Sequence, residues 1–104
     1  MTGVKNLDGL ELDIAVARAE IASGAFDIKL SDAGQPTIRT VDGRWEPFRP
    51  TLSWEHAGPI IERDWLHILA KLRDWCGDLW AEPNDVGRAG MLLWLMRAYV
   101  ASRT

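Results

Sequence analysis

The chain has 104 residues, a hydrophobic fraction of 47% and a net charge of −3. That length suits one domain spanning residues 1–104, and the apolar content is enough for a core, which excludes a disordered chain. Residues 1–35 carry three basic and six acidic side chains, residues 36–64 four and five, and residues 65–104 five and four. No part has the positive field that non-specific nucleic-acid binding needs, so nucleic acid is a disfavoured partner. The lone Cys76 cannot form an internal disulfide, and the N-terminal segment lacks the layout of a signal peptide. The longest apolar run, Met91–Met96, is too short to span a bilayer. The expectation is a cytoplasmic protein with no membrane partner.

Asp8 is placed to cap a first helix, with Glu11 three residues on. Leu12, Ala15, Val16, Ala19 and Ala22 follow at helical spacing and Gly24 is placed to end the run, which predicts a helix over about 9–23. Phe26–Leu30 alternates like a short strand and Ser31–Pro36 reads as loop. The clearest hairpin signal is Thr37–Val41, Asp42-Gly43, Arg44–Phe48. Asp-Gly favours a two-residue type I′ turn, a register that sets Thr40 opposite Trp45 and Arg39 opposite Glu46. Ile38, Thr40 and Trp45 then share the expected buried face, leaving Arg39, Arg44 and Glu46 on the other. Pro47 implies an edge strand or its end.

Residues Trp54-Glu55-His56-Ala57-Gly58-Pro59-Ile60-Ile61-Glu62 read as a rigid turn between an aromatic anchor and a carboxylate. Gly58 turns freely, while Pro59 fixes φ and removes a donor. Apolar residues from Ile61 onward recur at 3.6-residue spacing and predict a helix over about 62–75, with Gly77 near its end. Trp80 and Ala81 would begin a short extended segment. Asn84 or Asp85 can cap a last helix over about 86–102. That helix is apolar nearly all round, as in a core helix or a homodimer contact.

Few residue groups offer chemistry. His56, His67 and Cys76 have no metal-ligand spacing, and Cys76 lies on an apolar face that would quench a thiolate. Glu55, Glu62 and Asp64 could serve acid–base work near an aromatic ring, but Glu62 more simply braces the Gly-Pro turn. Gly87-Arg88-Ala89-Gly90 lacks the spacing and lysine of a phosphate loop. Arg39, Arg44, Trp45 and Arg49 could form a basic-aromatic hairpin, yet the expected register points Trp45 away from Arg39 and Arg44. The sequence therefore favours a non-enzymatic binding protein without cofactor or metal. Its surface would comprise Trp54, His56, Gly58, Pro59 and Glu62. The alternative is a small-molecule pocket lined by Trp54, Trp80 and Trp94; a weaker one is nucleic-acid binding through residues 37–49.

The first helix, Trp54…Gly58-Pro59-Ile60-Ile61-Glu62, Trp80-Ala81 and the closing Met96-Arg97-Ala98-Tyr99-Val100-Ala101-Ser102 together resemble the NinX-like family of small phage and prophage proteins. Members often carry glycine where this chain has Ala57, and look more strand-like after the Gly-Pro turn. The resemblance implies a phage or prophage accessory protein of unknown biochemical role in a bacterial host and supplies no catalytic residues; the binding reading adds an unknown host or phage protein as partner. The expected fold is α+β, a small antiparallel hairpin or sheet packed against helices from both ends of the chain.

Overall fold

The computed structural model describes residues 9–74 and 88–103, residues 88–90 by their backbone. It is an α+β fold. Among the described residues the elements run α1 (Gly9–Ala22), β1 (Ile28–Leu30), β2 (Pro36–Arg39), β3 (Trp45–Pro47), α2 (Trp54–Arg63), α3 (Trp65–Asp74) and α4 (Arg88–Arg103). The strands form one antiparallel sheet in the order β1-β2-β3. Helix α1 packs on β1 and β2, and α4 packs on α1, α2 and α3.

Helix α1 ends as the sequence predicts. Gly24 takes φ +98°, its N–H reaches the Ile21 carbonyl, and the Ala25 N–H reaches the Glu20 carbonyl. This paired arrangement satisfies carbonyls that the last helical turn would leave open. The inward stripe differs from the predicted one. Leu12, Asp13, Val16, Ala17 and Glu20 are buried, whereas Ala15 and Ala19 are half-buried and Ala22 is exposed. The observed face is rotated by about one position because Asp13 and Glu20 also point inward, where the fold supplies them with partners. The predicted cap Asp8 lies outside the described residues, as do Gly77, Trp80–Ala81 and Asn84–Asp85.

The hairpin forms where expected but one residue out of register. Arg39 faces Trp45, Ile38 faces Glu46 and Thr37 faces Pro47. The cause is the turn. Thr40 N–H bonds the Arg44 carbonyl at 2.7 Å, Gly43 N–H bonds the Thr40 carbonyl at 3.0 Å, and only Gly43 has positive φ, at +88°. Val41-Asp42-Gly43 is thus a three-residue loop with a bulge at Gly43, not a two-residue type I′ turn. The Thr40 hydroxyl donates to Asp42 Oδ1 and accepts from Arg44 N–H, which favours the wider loop. A one-residue slip exchanges the faces. Ile28, Leu30, Pro36 and Ile38 line the inner side with the buried Phe48 just beyond β3, and Trp45 stands on the outer side, 39% exposed, where burial was expected. Pro47 does close an edge strand.

The largest departure is at Trp54–Glu62, which is helix and not turn. Ser53 is extended (φ −124°, ψ 115°), and its Oγ accepts the His56 N–H, an N-cap that starts α2 at Trp54. Pro59 sits inside the helix and withholds the N–H that would meet the Glu55 carbonyl, a local cost that burial of Ala57 and Ile60 offsets. Asp64 breaks the run with φ −108° before α3, so the predicted 62–75 helix is α3 preceded by a joint. Residues 65–74 are helical, as their periodicity predicts. In α4, Leu92, Leu95, Met96, Ala98, Tyr99 and Val100 are buried within the fold, so its all-round apolarity is explained by packing on three neighbouring helices.

Candidate functional site

The helical form of α2 divides the predicted surface residues between two sides. Trp54, Gly58 and Glu62 are spaced four apart and share a stripe. Trp54 is 44% exposed, Glu62 is exposed, and a Cβ added at Gly58 would meet no heavy atom within 4 Å. The stripe therefore has an aromatic ring, a notch one turn on, and a carboxylate one turn further. Trp65 and Leu66, the latter 76% exposed, follow at the start of α3.

His56 and Pro59 lie toward the sheet instead. His56 Nδ1 accepts the Arg49 N–H at 3.0 Å and its Nε2 stands 3.3 Å from Glu46 Oε1, with the Phe48 ring 5.6 Å away. An amide N–H only donates, so Nδ1 holds the lone pair and Nε2 carries the proton toward Glu46. Both ring nitrogens are engaged, and the imidazole staples α2 to the end of β3. With Pro59 and Arg63 it also lines a cleft of about 400 Å3, closed by Ile28, Ile38 and Phe48. Neither Trp54 nor Trp94 lines this cleft.

A cluster of charges that sequence reasoning missed ties the helices together behind the cleft. Glu20 of α1 is 4% exposed and Asp64, at the α2–α3 joint, 6%. Arg63 donates from Nη1 and Nη2 to the two Glu20 oxygens at 3.2 and 2.7 Å, and from Nε and Nη2 to Asp64 Oδ2 at 3.2 and 2.8 Å. Arg103 Nη2 reaches the same Asp64 oxygen at 2.9 Å, and the Tyr99 hydroxyl donates to Glu20 Oε2 at 2.5 Å. Burial works to raise the Asp64 carboxyl, but the hydrogen bonds from Arg63 and Arg103 hold it below the ordinary carboxylate range. Burial and then the Glu20 carboxylate push the Tyr99 phenol up, and both arginines are held more firmly protonated than usual. Asp13 is a separate case. Burial raises its carboxyl although the Thr51 N–H, 3.0 Å from Oδ1, opposes the shift, and the bond pins the turn that leads into α2.

These groups are legible in hindsight by position alone. Asp13 and Glu20 are seven residues apart, two helical turns, and lie in register with Leu12, Val16 and Ala17. Their partners lie 38, 43 and 79 residues away, beyond any local pattern. Among the described residues no group of three or more His, Cys, Asp or Glu is placed to hold a metal ion. Nor is any helix among them long and apolar enough to cross a membrane.

Fold and site together define a small α+β protein whose helices are joined by an interior carboxylate–arginine network and which presents an aromatic stripe on α2. The chain belongs to the Bacteriophage P22 NinX family, whose model matches residues 3–103. It is a phage-derived protein, as its resemblance to that family implied. No curated protein and no solved structure matches the chain.

Proposed function

We propose that the protein is a non-enzymatic binding module that docks a host or phage protein on the outer stripe of α2. The observation that carries this reading is the succession Trp54, Gly58, Glu62 on one exposed helical face. A half-exposed tryptophan supplies a large anchor of low conformational entropy, and the glycine lets a partner side chain approach the helix backbone. Glu62 adds a directed acceptor at the rim. His56, Arg63 and Asp64, at α2 and its end, are instead held by intramolecular partners, which suits structural roles better than proton transfer.

The test compares capture from bacterial host lysate, with and without phage expression, by wild type, Trp54→Ala and Gly58→Leu. Trp54→Ala is expected to lose the captured protein while melting close to wild type. Gly58→Leu puts a side chain into the notch, where a Cβ meets no heavy atom within 4 Å, and replaces a weak helix former, so it should melt close to wild type and still lose capture. Capture unaffected by either variant would remove α2 as the docking surface. Unfolding of Trp54→Ala would make Trp54 a packing residue and leave Gly58→Leu to decide.

A further inference from the structure

Residues directly opposite one another in an antiparallel pair point to the same side of a sheet. The observed register therefore places Lys29, Thr37, Arg39, Trp45 and Pro47 on one outer face, away from the core. We propose that this face binds single-stranded nucleic acid, with the Trp45 indole stacking a base and Lys29 and Arg39 meeting the flanking phosphates.

Charge and ring chemistry both favour that occupant. Among the described residues neither Lys29 nor Arg39 forms an ion pair, although the chain as a whole is acidic. The carboxylates of the hairpin are engaged elsewhere, Asp42 by Arg44 and Thr40, and Glu46 by His56 on the opposite face. Asp27 and Asp42 line a shallow cavity together with Arg39. Asp42 is held by Arg44, which leaves Asp27 against the two cations Lys29 and Arg39.

Lys29 Nζ rests 4.2 Å from the centre of the Trp45 ring. Stacking a base on an aromatic side chain is worth more than an exposed cation–π contact, so a base displaces the ammonium. The released Lys29 then lies beside the ring, where the sugar–phosphate backbone of a stacked nucleotide runs. Trp45 and Pro47 on the strands and the exposed Val41 in the loop form a small and dispersed apolar set, too little for the apolar centre of a protein interface. A nucleobase needs only one open ring face. The proposal is independent of the α2 surface and shares no residue with it.

The experiment is fluorescence anisotropy of labelled octathymidylate and octauridylate titrated with the whole protein, with a short duplex as control. Two phosphate contacts predict a dissociation constant on the order of 10⁻⁴ M at about 20 mM salt, and a log–log salt slope of about −1.4. Trp45→Ala should weaken binding by about tenfold or more, whereas Trp45→Phe should stay within about threefold, because stacking tolerates the change of ring. Lys29→Gln and Arg39→Gln should each make the slope shallower by about 0.7. These two substitutions lie at exposed positions, so they decide the matter even if Trp45→Ala fails to fold. The ratio of the two octamers says whether DNA or RNA is preferred. No binding up to about 1 mM protein at that salt, equal binding to duplex, or binding indifferent to Trp45, Lys29 and Arg39 would overturn the proposal. Trp54→Ala should leave binding unchanged, so this result and the lysate capture fail separately.

Discussion

Cations beside an aromatic ring have opposite consequences in two regions of this molecule. Between α1, α2 and α4, Arg63 and Arg103 are engaged by two buried carboxylates beside Tyr99. On the outer face of the sheet, Arg39 and Lys29 flank Trp45 with no acidic partner among the described residues. The difference follows from solvent. A buried charge without a counter-charge costs several kcal/mol, so the interior holds only groups whose partners the fold supplies. At the surface water bears that cost, and a cation can stay available to a ligand. Pairing marks the part of the molecule that maintains the structure, and lack of pairing is the observation on which the proposed nucleic-acid face rests.

The comparison breaks most severely at Arg63. Arg63→Ala removes both hydrogen bonds to Glu20 and leaves Asp64 with Arg103 alone. Because the Arg63 side chain is about half exposed, water compensates part of the loss, and the expected cost is about 2–3 kcal/mol. That corresponds to a fall in melting temperature of about 10–20 °C. The pH dependence has a definite sign. Asp64 is held below its ordinary range when folded, so its pairing stabilises above about pH 4 and fades as pH falls through the lowered value. Arg63→Ala should therefore flatten the acid side of the stability profile; an unchanged melting temperature and acid limb would show the pairs to be energetically idle.

Tyr99→Phe sharpens the same contrast at a smaller scale. It deletes one donor to Glu20 while Arg63 remains, for about 1 kcal/mol or about 5 °C. Tyr99 is the chain's single tyrosine and its phenol is pushed above the ordinary value, so phenolate absorbance in an alkaline titration should rise only with unfolding. A normal titration in the folded protein would place the hydroxyl in water. The smallest effect is expected at Asp13→Asn. Burial raises the wild-type carboxyl, so the ionised form costs stability at pH 7 and protonation relieves it in acid. Asparagine keeps an acceptor for the Thr51 N–H without the charge, giving about 0.5 kcal/mol at pH 7. That advantage should vanish as pH falls through the raised wild-type value, and its persistence in acid would trace it to packing.

Local signals carried the outline of the fold and misled where two of them competed. Gly24, the alternation of Phe26–Leu30 and the 3.6-residue spacing after Ile61 correspond to observed elements. Pro59 and Gly58 read as a turn because each disfavours helix, yet Ser53 caps the segment and Ala57 and Ile60 bury its inner face. Asp42-Gly43 announced a hairpin correctly but not its loop length. The Thr40 hydroxyl contacts that favour the wider loop have no residue-pair signature. That single error hid the outer face, since it put Trp45 and Arg39 on opposite sides. Of the predicted docking residues, Trp54, Gly58 and Glu62 share a stripe, while His56 faces the sheet because helical geometry turns it about 160° from Trp54, near 100° per residue less a full turn. The buried positions of Asp13 and Glu20 follow from helical register, but their pairing was hidden because the links from Glu20 to Arg63 and Tyr99, and from Asp64 to Arg103, join distant parts of the chain.

The span of one of those links bears on how the protein is made. Glu20 can meet Arg63 once synthesis has passed α2, a separation of 43 residues, but its bond with Tyr99 closes a separation of 79. Domains in general fold as units during synthesis, N-terminal parts first, yet contacts so distant in sequence form slowly and late. While the ribosome is still working toward Tyr99, α1 carries a carboxylate destined for the interior with only part of its company. The nascent chain thus completes its fold only after the segment bearing Tyr99 emerges from the exit tunnel.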